Sequence, residues 1–439
     1  MAQQGFLAAG RLPSRARDRA ASGQAAGRRP TRSASGRGIE ADVLVIGGGM
    51  VGLTLAAALA GAGMSVAVVD EKPSAVALGQ GHDGRTSAIA LGSKRALEAL
   101  SLWRRMAPFA EPIREIRVSD WRSPFHLHYD HQELGRDPLG YMVENRHLRQ
   151  ALHGHLSRLA GTRLVAPATV DRLERGSSRV RATLGDGRRL SARLAVAADG
   201  RESSIRADAG IAVTRWSYRQ TSIVLSVRHE RRHDGVAHQR FLPTGPLAVL
   251  PMRGKRSSVV WTVRNEVVPA FLALDGEALA REVERHFGHS LGRLTPLPGR
   301  WTFPLGLVHA DRYVAERLAL VGDSAHAIHP IAGQGLNLGM RDVAALAEVV
   351  VDAWRLGLDP SLPAVLERYE RWRRFDNVTL AAATDGINRL FSNAVPLARL
   401  VRGLGLALVD RTPPARRLFM RHAMGLVGEL PRLLKGEPL

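Results

Sequence analysis

The segment Ala41-Asp42-Val43-Leu44-Val45-Ile46-Gly47-Gly48-Gly49-Met50-Val51-Gly52 decides the fold of this 439-residue chain. Its first six residues form a short apolar run rich in β-branched side chains, which is typical of a buried parallel strand. The next six match the pattern G-x-G-x-x-G. Leu53 to Ala62 carries the small and apolar residues of a helix, and Ser65 to Asp70 resembles a second strand. Together they predict one βαβ unit.

Each glycine of this pattern has a physical task in such a unit. Gly47 permits the tight turn, Gly49 lets a pyrophosphate approach the backbone, and Gly52 lets the helix pack closely on the strand. The helix N-terminus offers free N–H groups and the positive end of its dipole to phosphates. Asp70, at the end of the second strand, can accept hydrogen bonds from ribose hydroxyls. The pattern therefore predicts a dinucleotide site, but it does not separate NAD from FAD.

Two later segments repeat the order of strand, polar loop and helix. The first is Ala198 to Arg206, which contains Asp199-Gly200. The second is Leu320 to Asp342. Its notable residues are Gly322, Asp323, Pro330, Gly333, Gln334, Gly335 and Asn337. A helix N-terminus left bare by glycines would stabilise an anion, and a carboxylate at a strand end could bind a polyol. One such loop would equally fit an ordinary connection, but three in this order favour a bound cofactor.

With these segments in this order, the chain resembles the class A flavoprotein monooxygenases related to para-hydroxybenzoate hydroxylase. The resemblance implies FAD as cofactor and NAD(P)H as a transiently bound co-substrate. It implies that Gly322 and Asp323 hold the ribityl chain, and that the loop from Pro330 to Asn337, with Gly335, lines the isoalloxazine ring. It also implies that Asp199 and Gly200 position FAD and serve the approach of NAD(P)H.

Further segments resemble the ubiquinone-biosynthesis hydroxylases of the Ubi/VisC type, and this resemblance extends from residue 41 to the C-terminus. They include Asp83 to Leu91, Val143-Glu144-Asn145 and Gly245 to Ala248. The resemblance implies hydroxylation of a polyprenylated phenol with O₂ through a flavin C4a-hydroperoxide. The expected catalytic loop consists of Pro330, Gly333, Gln334 and Gly335. One departure is Asp70, where this family more often has Glu.

Other residues allow a functional and a structural interpretation. Arg85 could contact the pyrophosphate or the flavin edge, or form a surface ion pair. Arg146, which opens a helix near the expected cofactor domain, is a second candidate for cofactor binding. His326 and His329 lie beside the expected flavin loop, but neither is assigned as a general base, and the absence of a third ligand argues against a metal. Apolar residues of the strand-rich region could line a tunnel for a prenyl tail or belong to the sheet core, namely Leu247, Leu250 and Trp261.

The predicted fold class is α/β, with a Rossmann-like FAD-binding domain, an inserted strand-rich substrate domain and C-terminal helices. The FAD-binding domain is expected to be discontinuous, over residues 41–115, 145–215 and 310–355. The substrate-binding sheet is expected over 116–144 and 216–309, and the helical region over 356–439. Residues 1–40 are predicted to be a disordered basic leader. This leader resembles a mitochondrial transit peptide, and a dispensable bacterial leader is the alternative.

Composition limits the remaining classes of function. The absence of cysteine excludes disulfides and thiolate metal sites. The net charge is +21, but arginines are spread along the chain without a nucleic-acid-binding motif, so nucleic acid is not an expected partner. The expected partners are a polyprenylated phenol or quinone precursor, O₂, other ubiquinone-synthesis proteins and a membrane surface. The location is either the bacterial cytoplasm, peripheral to the inner membrane, or the matrix face of the mitochondrial inner membrane.

Two other functions stay open at the level of sequence. One is a class A flavin hydroxylase that acts on a soluble aromatic compound. The other is a non-catalytic flavoprotein that organises a quinone-synthesis assembly. Both keep the cofactor site and differ in what the site does.

Overall fold

A computed structural model describes residues 39–73, 84–121, 126–328, 333–391 and 409–439. Most of the predicted leader, together with Pro330 and His329, lies outside these ranges. The strands are β1 Ile39–Ile46, β2 Val66–Val69, β3 Thr86–Ala90, β4 Glu111–Ile113, β5 Glu115–Asp120, β6 His126–Asp130, β7 Gly140–Glu144, β8 Thr162–Val165, β9 Val170–Arg175, β10 Val180–Leu184, β11 Arg189–Ala197, β12 Val213–His229, β13 Val236–Leu242, β14 Gly245–Met252, β15 Arg256–Arg264, β16 Leu294–Ala310, β17 Val314–Ala315, β18 Leu318–Leu320 and β19 His326–Ala327.

Helices alternate with these strands and are numbered in chain order. They are α1 Met50–Gly61, α2 Leu91–Ala99, α3 Trp103–Met106, α4 Asn145–Leu156, α5 Ser204–Asp208, α6 Val268–Ala273, α7 Gly276–Phe287, α8 Gln334–Arg355, α9 Pro363–Phe391, α10 Pro413–Ala423 and α11 Arg432–Lys435. In the described ranges, no helix is both long and apolar enough to cross a membrane.

The predicted βαβ unit forms the centre of a mainly parallel sheet with the order β17-β18-β11-β1-β2-β8. β1 pairs in parallel with both β2 and β11, and β11 pairs in parallel with β18. Ile46 lies beside Ala197, and Ala197 lies beside Leu320. The carboxyl ends of three strands are therefore aligned, and each of the three predicted cofactor loops begins at this edge.

The core of this sheet is apolar on both faces, as a parallel sheet requires. Val43, Leu44 and Val45 of β1 are fully buried, and α1 buries Leu53, Leu55 and Leu59 against the same core. Burying one such side chain stabilises a fold by roughly 1.5–3 kcal/mol. The strand β1, which precedes the first glycine loop, is thus packed against apolar residues on both faces of the sheet.

A second, antiparallel sheet has the order β19-β16-β12-β15-β14-β13-β5-β6, and β3, β7 and β4 form a small third sheet. The region predicted to be strand-rich, 216–309, supplies most strands of the large sheet, but it also contains α7. The carboxylate of Asp275 caps this helix by accepting a 2.7 Å hydrogen bond from the amide of Ala278. Leu279, Ala280 and Val283 pack against one face of the sheet.

Candidate active site

The three predicted loops contact one another directly at the edge of the parallel sheet. The amide of Ala198 donates to the carbonyl oxygen of Ile46 (2.7 Å), and the amide of Val321 donates to that of Ala197 (3.0 Å). The hydroxyl of Ser324 also donates to the carbonyl oxygen of Ala197, at 2.7 Å. Residues more than 270 positions apart in the sequence therefore form one surface.

The glycines of the first loop differ in the space that surrounds their Cβ positions, and the open position is where a pyrophosphate is predicted. Gly47 has φ +108°, and a Cβ on it would lie 2.3 Å from the carbonyl oxygen of Ala198. A Cβ on Gly52 would lie 2.0 Å from the carbonyl oxygen of Gly47, whereas one on Gly49 would meet no atom within 4 Å. The N-terminus of α1 has no side-chain cap and no acid in its first turn. Its N–H groups are available to an anion, which fits the predicted phosphate site.

Asp70 lies at the rim of this loop. Its Oδ2 accepts a 2.5 Å hydrogen bond from the amide of Gly48, and its Oδ1 accepts a 2.7 Å bond from the amide of Lys72. These bonds fix the carboxylate beside the glycine turn. The contact of this shorter side chain with ribose stays a prediction.

Asp199, in the second loop, carries an unsatisfied acceptor. Its Oδ2 accepts from the amide of Ile205 at 3.4 Å, while its buried Oδ1 has no hydrogen-bond partner among the described residues. Burial raises the pKa of this carboxyl group, although the hydroxyl of Ser203 acts in the opposite direction. A buried acceptor without a donor is costly unless a ligand or water supplies one. Gly200 beside it faces open space.

Asp323, in the third loop, is exposed at the same edge. Desolvation by the surrounding protein nevertheless raises the pKa of its carboxyl group, while His326 and Arg201 act in the opposite direction. Solvent reaches this carboxylate although neighbouring protein atoms partly desolvate it. This environment fits the predicted contact with a polyol chain.

The start of α8 supplies a second bare helix N-terminus. Gly333 has φ +64°, and a Cβ on it would lie 3.1 Å from the Cβ of Ala88. The 22-residue helix has no side-chain cap and no acid in its first turn, and Gly335 faces open space. Gln334 is half-buried beside them. The end of a long helix thus presents N–H groups to the region where the isoalloxazine ring is predicted.

Asn337 performs a task that the sequence did not predict. Its side-chain amide donates to the carbonyl oxygens of Ala88 (2.8 Å) and Gly333 (3.2 Å), and its Oδ1 accepts from the amide of Ala90 (2.9 Å). The buried side chain therefore fastens α8 to β3. Both of its N–H groups are in use within the protein, and its contact with the cofactor stays a prediction.

The two predicted arginines lie in different environments. Arg85 is exposed at the start of β3. The Nε of Arg146 lies 2.8 Å from Oε2 of Glu144, whose side chain is only 5% exposed and whose Oε1 lies 3.4 Å from Nη1 of Arg256. Arg146 therefore forms an ion pair with a buried acid. The contacts of both arginines with FAD stay predictions.

His326 is a satisfied buried group. Its Nε2–H donates to Oδ2 of Asp342 at 2.5 Å, and both side chains are almost fully buried. This pairing leaves His326 poorly placed to act as a base on a substrate. Within the described ranges, no three side chains of His, Cys, Asp or Glu are grouped so that they could hold a metal ion.

One face of the large antiparallel sheet is turned toward the cofactor loops. Oγ1 of Thr86, in β3, donates to Oγ of Ser258 (3.2 Å), and Leu250 and Ala88 pack against the same apolar cluster. Because Ala88 also touches Gly333, the face that carries Ser258 and Leu250 is turned toward the start of α8. We call it the inner face. Its half-buried central residues are uncharged, namely Ala248, Leu250 and Val260.

Strand alternation separates the predicted tunnel residues. Leu247 and Trp261 are opposite each other in the register and pack against α7, on the outer face. They belong to the sheet core, so the tunnel interpretation is wrong for them. Leu250 lies on the inner face, where that interpretation stays a prediction. Leu247 and Leu250 are three positions apart, and this odd interval places them on opposite faces of the strand.

The fold and this site define a flavoprotein of the class A monooxygenase type. The family described as FAD binding domain matches residues 40–374. The chain therefore belongs to this family, and it has the FAD-dependent monooxygenase architecture that the sequence predicted. Its cofactor is FAD.

Two characterised relatives cover nearly the whole chain. The ubiquinone hydroxylase UbiL of Rhodospirillum rubrum is 52% identical over 402 residues, which are 91% of this chain and 94% of that protein. The 3-demethoxyubiquinol 3-hydroxylase of Escherichia coli is 37% identical, over 88% of this chain and 98% of that protein. Among solved structures, p-nitrophenol 4-monooxygenase PnpA of Pseudomonas putida superposes with a TM-score of 0.73 at 20% identity, covering 89% and 99% of the two chains. That likeness confirms the fold.

Proposed function

We propose that this protein hydroxylates the aromatic ring of a polyprenylated phenol in ubiquinone biosynthesis, with NAD(P)H and O₂ as co-substrates. The carrying observation is that three cofactor loops meet beside a sheet face whose central side chains, Ala248, Leu250 and Val260, are uncharged. The similarity to two ubiquinone-pathway hydroxylases supports the choice of substrate. FAD, when bound, takes electrons from NAD(P)H and activates O₂ so that one oxygen atom is transferred to the ring.

The chain's own groups bind and orient the cofactor in this proposal. The N–H groups at the start of α1 bind the pyrophosphate, Asp70 accepts from ribose hydroxyls, and Asp323 accepts from the ribityl chain. The N-terminus of α8 lies beside the isoalloxazine ring, where its dipole stabilises negative charge. Asp199 accepts a hydrogen bond from FAD or from NAD(P)H through the oxygen that has no partner in the described structure.

The inner face holds the phenol over the ring and excludes water from it. Its centre consists of Ala248, Leu250 and Val260, with Ser222 and Thr262 on the neighbouring register positions. Because these central side chains carry no charge, they suit a neutral ring with an apolar tail better than an aromatic acid, whose carboxylate would need a cationic partner. Exclusion of water protects the activated oxygen from side reactions.

The direct test is turnover of the purified flavoprotein under ¹⁸O₂. We expect ¹⁸O in the ring of a polyprenylated phenol and little in para-hydroxybenzoate, measured by mass spectrometry with either NADH or NADPH. Preferential labelling of the aromatic acid would favour the soluble-substrate alternative. A flavoprotein that reduces O₂ without labelling any phenol, and whose gene deletion leaves the quinone intermediates unchanged, would contradict the proposal.

We further propose that the protein works at a membrane surface without crossing it. A polyprenyl tail resides in the bilayer, and the net charge of +21 favours anionic lipid. Cosedimentation with anionic vesicles, lost in about 0.5 M salt because of screening, is the expected result. Binding to neutral and anionic vesicles alike, or to neither, would argue against it. Contacts with other ubiquinone-synthesis proteins are a separate proposal, tested by co-purification.

A further inference from the structure

A buried polar cluster lies directly behind the third cofactor loop. It is centred on Asp342 of α8, which is fully buried. Oδ2 accepts from the amide of Gly322 (3.0 Å) and from Nε2–H of His326 (2.5 Å), while Oδ1 accepts from Nε–H of Arg373 (3.0 Å) and Nδ2–H of Asn377 (3.3 Å). One carboxylate therefore joins the loop, its following strand β19 and the helix α9.

Arg373 is the cation that makes this arrangement stable. Its side chain is 2% exposed and uses three different nitrogens: Nε–H donates to Asp342, Nη1–H to Asp376 (2.8 Å) and Nη2–H to Asn377 (2.8 Å). Burial alone would raise the pKa of Asp342, but His326, Arg373 and the amide of Gly322 lower it to about 2. Removing one partner of such a buried pair leaves an uncompensated charge.

The face of α9 that carries Arg373 also contacts β18, the strand that precedes the third cofactor loop. The hydroxyl of Tyr369 donates a 2.7 Å hydrogen bond to the carbonyl oxygen of Leu320, the last residue of β18. Tyr369, Arg373 and Asn377 follow each other at intervals of four, which places them on one side of the helix. They contact β18 just before Gly322 and α8 just behind it.

We propose that Arg373, acting through Asp342, is a positioning residue for FAD. It fixes the Gly322 amide and thereby the direction of the adjacent Asp323 carboxylate, on which the ribityl contact depends. This inference rests on the proposed role of Asp323 in the FAD site. Helix α9, which contacts this segment through Leu320 and Asp342, then controls how tightly and in which orientation the flavin is held.

Arg373→Lys tests this inference, because Lys keeps the positive charge but cannot make the three hydrogen bonds of the planar guanidinium group in the same geometry. We expect the dissociation constant of FAD, measured by fluorescence titration of the deflavinated protein, to rise about tenfold, the effect of losing roughly one charged hydrogen bond. We also expect a changed visible circular dichroism spectrum of the bound flavin. This spectrum reports the flavin's surroundings and would not respond to a mere loss of global stability.

Arg317→Lys is the matched control for stability. Arg317 is another buried arginine, 10% exposed, that pairs with Asp359 at 2.8 Å. It lies immediately before β18, at the end of the strand remote from Gly322. Its substitution should lower the unfolding temperature and leave the FAD affinity and the flavin spectrum unchanged. Arg371→Lys, at a site 71% exposed on the same helix as Arg373, should change neither property.

Equal FAD affinity and an identical flavin spectrum in Arg373→Lys and wild type would overturn the inference. If Arg373→Lys does not fold, Asn377→Ser serves in its place, since it removes one bond to Asp342 and one to Arg373. A rise in the FAD dissociation constant of about threefold would support the inference, and no rise would overturn it. Wild-type protein that binds no FAD would instead refute the proposed function itself, so the two failures are distinguishable.

Discussion

The backbones of Gly47 and Ala198 are so close that a Cβ on Gly47 would lie 2.3 Å from the Ala198 carbonyl oxygen. This contact joins the first cofactor loop to the second and explains why the turn admits only glycine, at φ +108°. Two residues further on, Gly49 has no atom near its Cβ position. The fold therefore requires glycine at position 47, whereas glycine at position 49 is predicted to make room for a pyrophosphate.

Gly49→Ala should separate folding from cofactor binding. The new methyl group has space in the protein but occupies the room of the pyrophosphate, so FAD affinity should fall at least about tenfold, an effect of about 1.4 kcal/mol. The free energy of unfolding of the deflavinated protein should stay within about 1 kcal/mol of wild type. Flavin titration and urea denaturation measure the two quantities.

The controls for this prediction lie in the same helix. Gly61→Ala also has open space and is far from the loop, so FAD affinity should not change. Gly52→Ala would place a Cβ 2.0 Å from the carbonyl oxygen of Gly47 and should destabilise the fold by at least about 2 kcal/mol. If Gly49→Ala bound FAD as wild type does, the predicted pyrophosphate position would be incorrect.

Neighbouring residues of β14 should give opposite results. Leu247 is fully buried against α7, so Leu247→Ala should lower the free energy of unfolding by about 2–5 kcal/mol with little change in KM. Ala248 is half-buried on the inner face, so Ala248→Phe should raise KM for the phenol with little loss of stability. Steady-state kinetics and denaturation test the pair. Equal KM values for Ala248→Phe and wild type would place the substrate elsewhere.

Acid should remove the stabilising effect of Asp342. Its pKa in the folded protein, about 2, is below the ordinary value of 3.8, so the unfolded chain binds a proton more readily. The carboxylate therefore contributes stability above about pH 4 that is lost as the pH falls toward 2, amounting to about 2 kcal/mol. The difference in unfolding free energy between wild type and Asp342→Asn should be constant from pH 5 to 7 and shrink below pH 4.

Asp234→Asn provides the comparison for this acid effect. Asp234 is an acid whose side chain is 71% exposed, and its substitution should change stability by less than about 0.5 kcal/mol at any of these pH values. A difference for Asp342→Asn that stays constant down to pH 2.5 would mean that this carboxylate is not held ionised by its partners.

The loops were predictable from the sequence because their signals are local. The glycine pattern, the strand before it and Asp70 occur within 30 residues, and the carboxyl ends of parallel strands must meet at one edge. The helix α7 also had a local signal, since Leu279, Val283 and Phe287 recur every four residues behind the capping Asp275. Turn residues that precede it in the same region, Pro243 to Pro246 and Arg253 to Lys255, favoured strands instead, and the prediction followed them.

Tertiary pairing was not predictable in the same way. Leu247 and Leu250 are equally apolar in sequence, and only the register of β14 against β15 determines which of them faces α7. Asp342 and Arg373 are 31 positions apart, and nothing local indicates that they meet. The interval of four between Tyr369, Arg373 and Asn377 was visible, but a charged residue on a helix is more often solvated than buried.

The visible absorption spectrum of the purified, folded protein tests the central claim most directly. The account predicts a yellow protein that carries about one FAD per chain, or that takes up FAD to this ratio after deflavination, and a Gly49→Ala variant that binds FAD at least about tenfold more weakly. A colourless protein with a cooperative unfolding transition that refuses added FAD would contradict it.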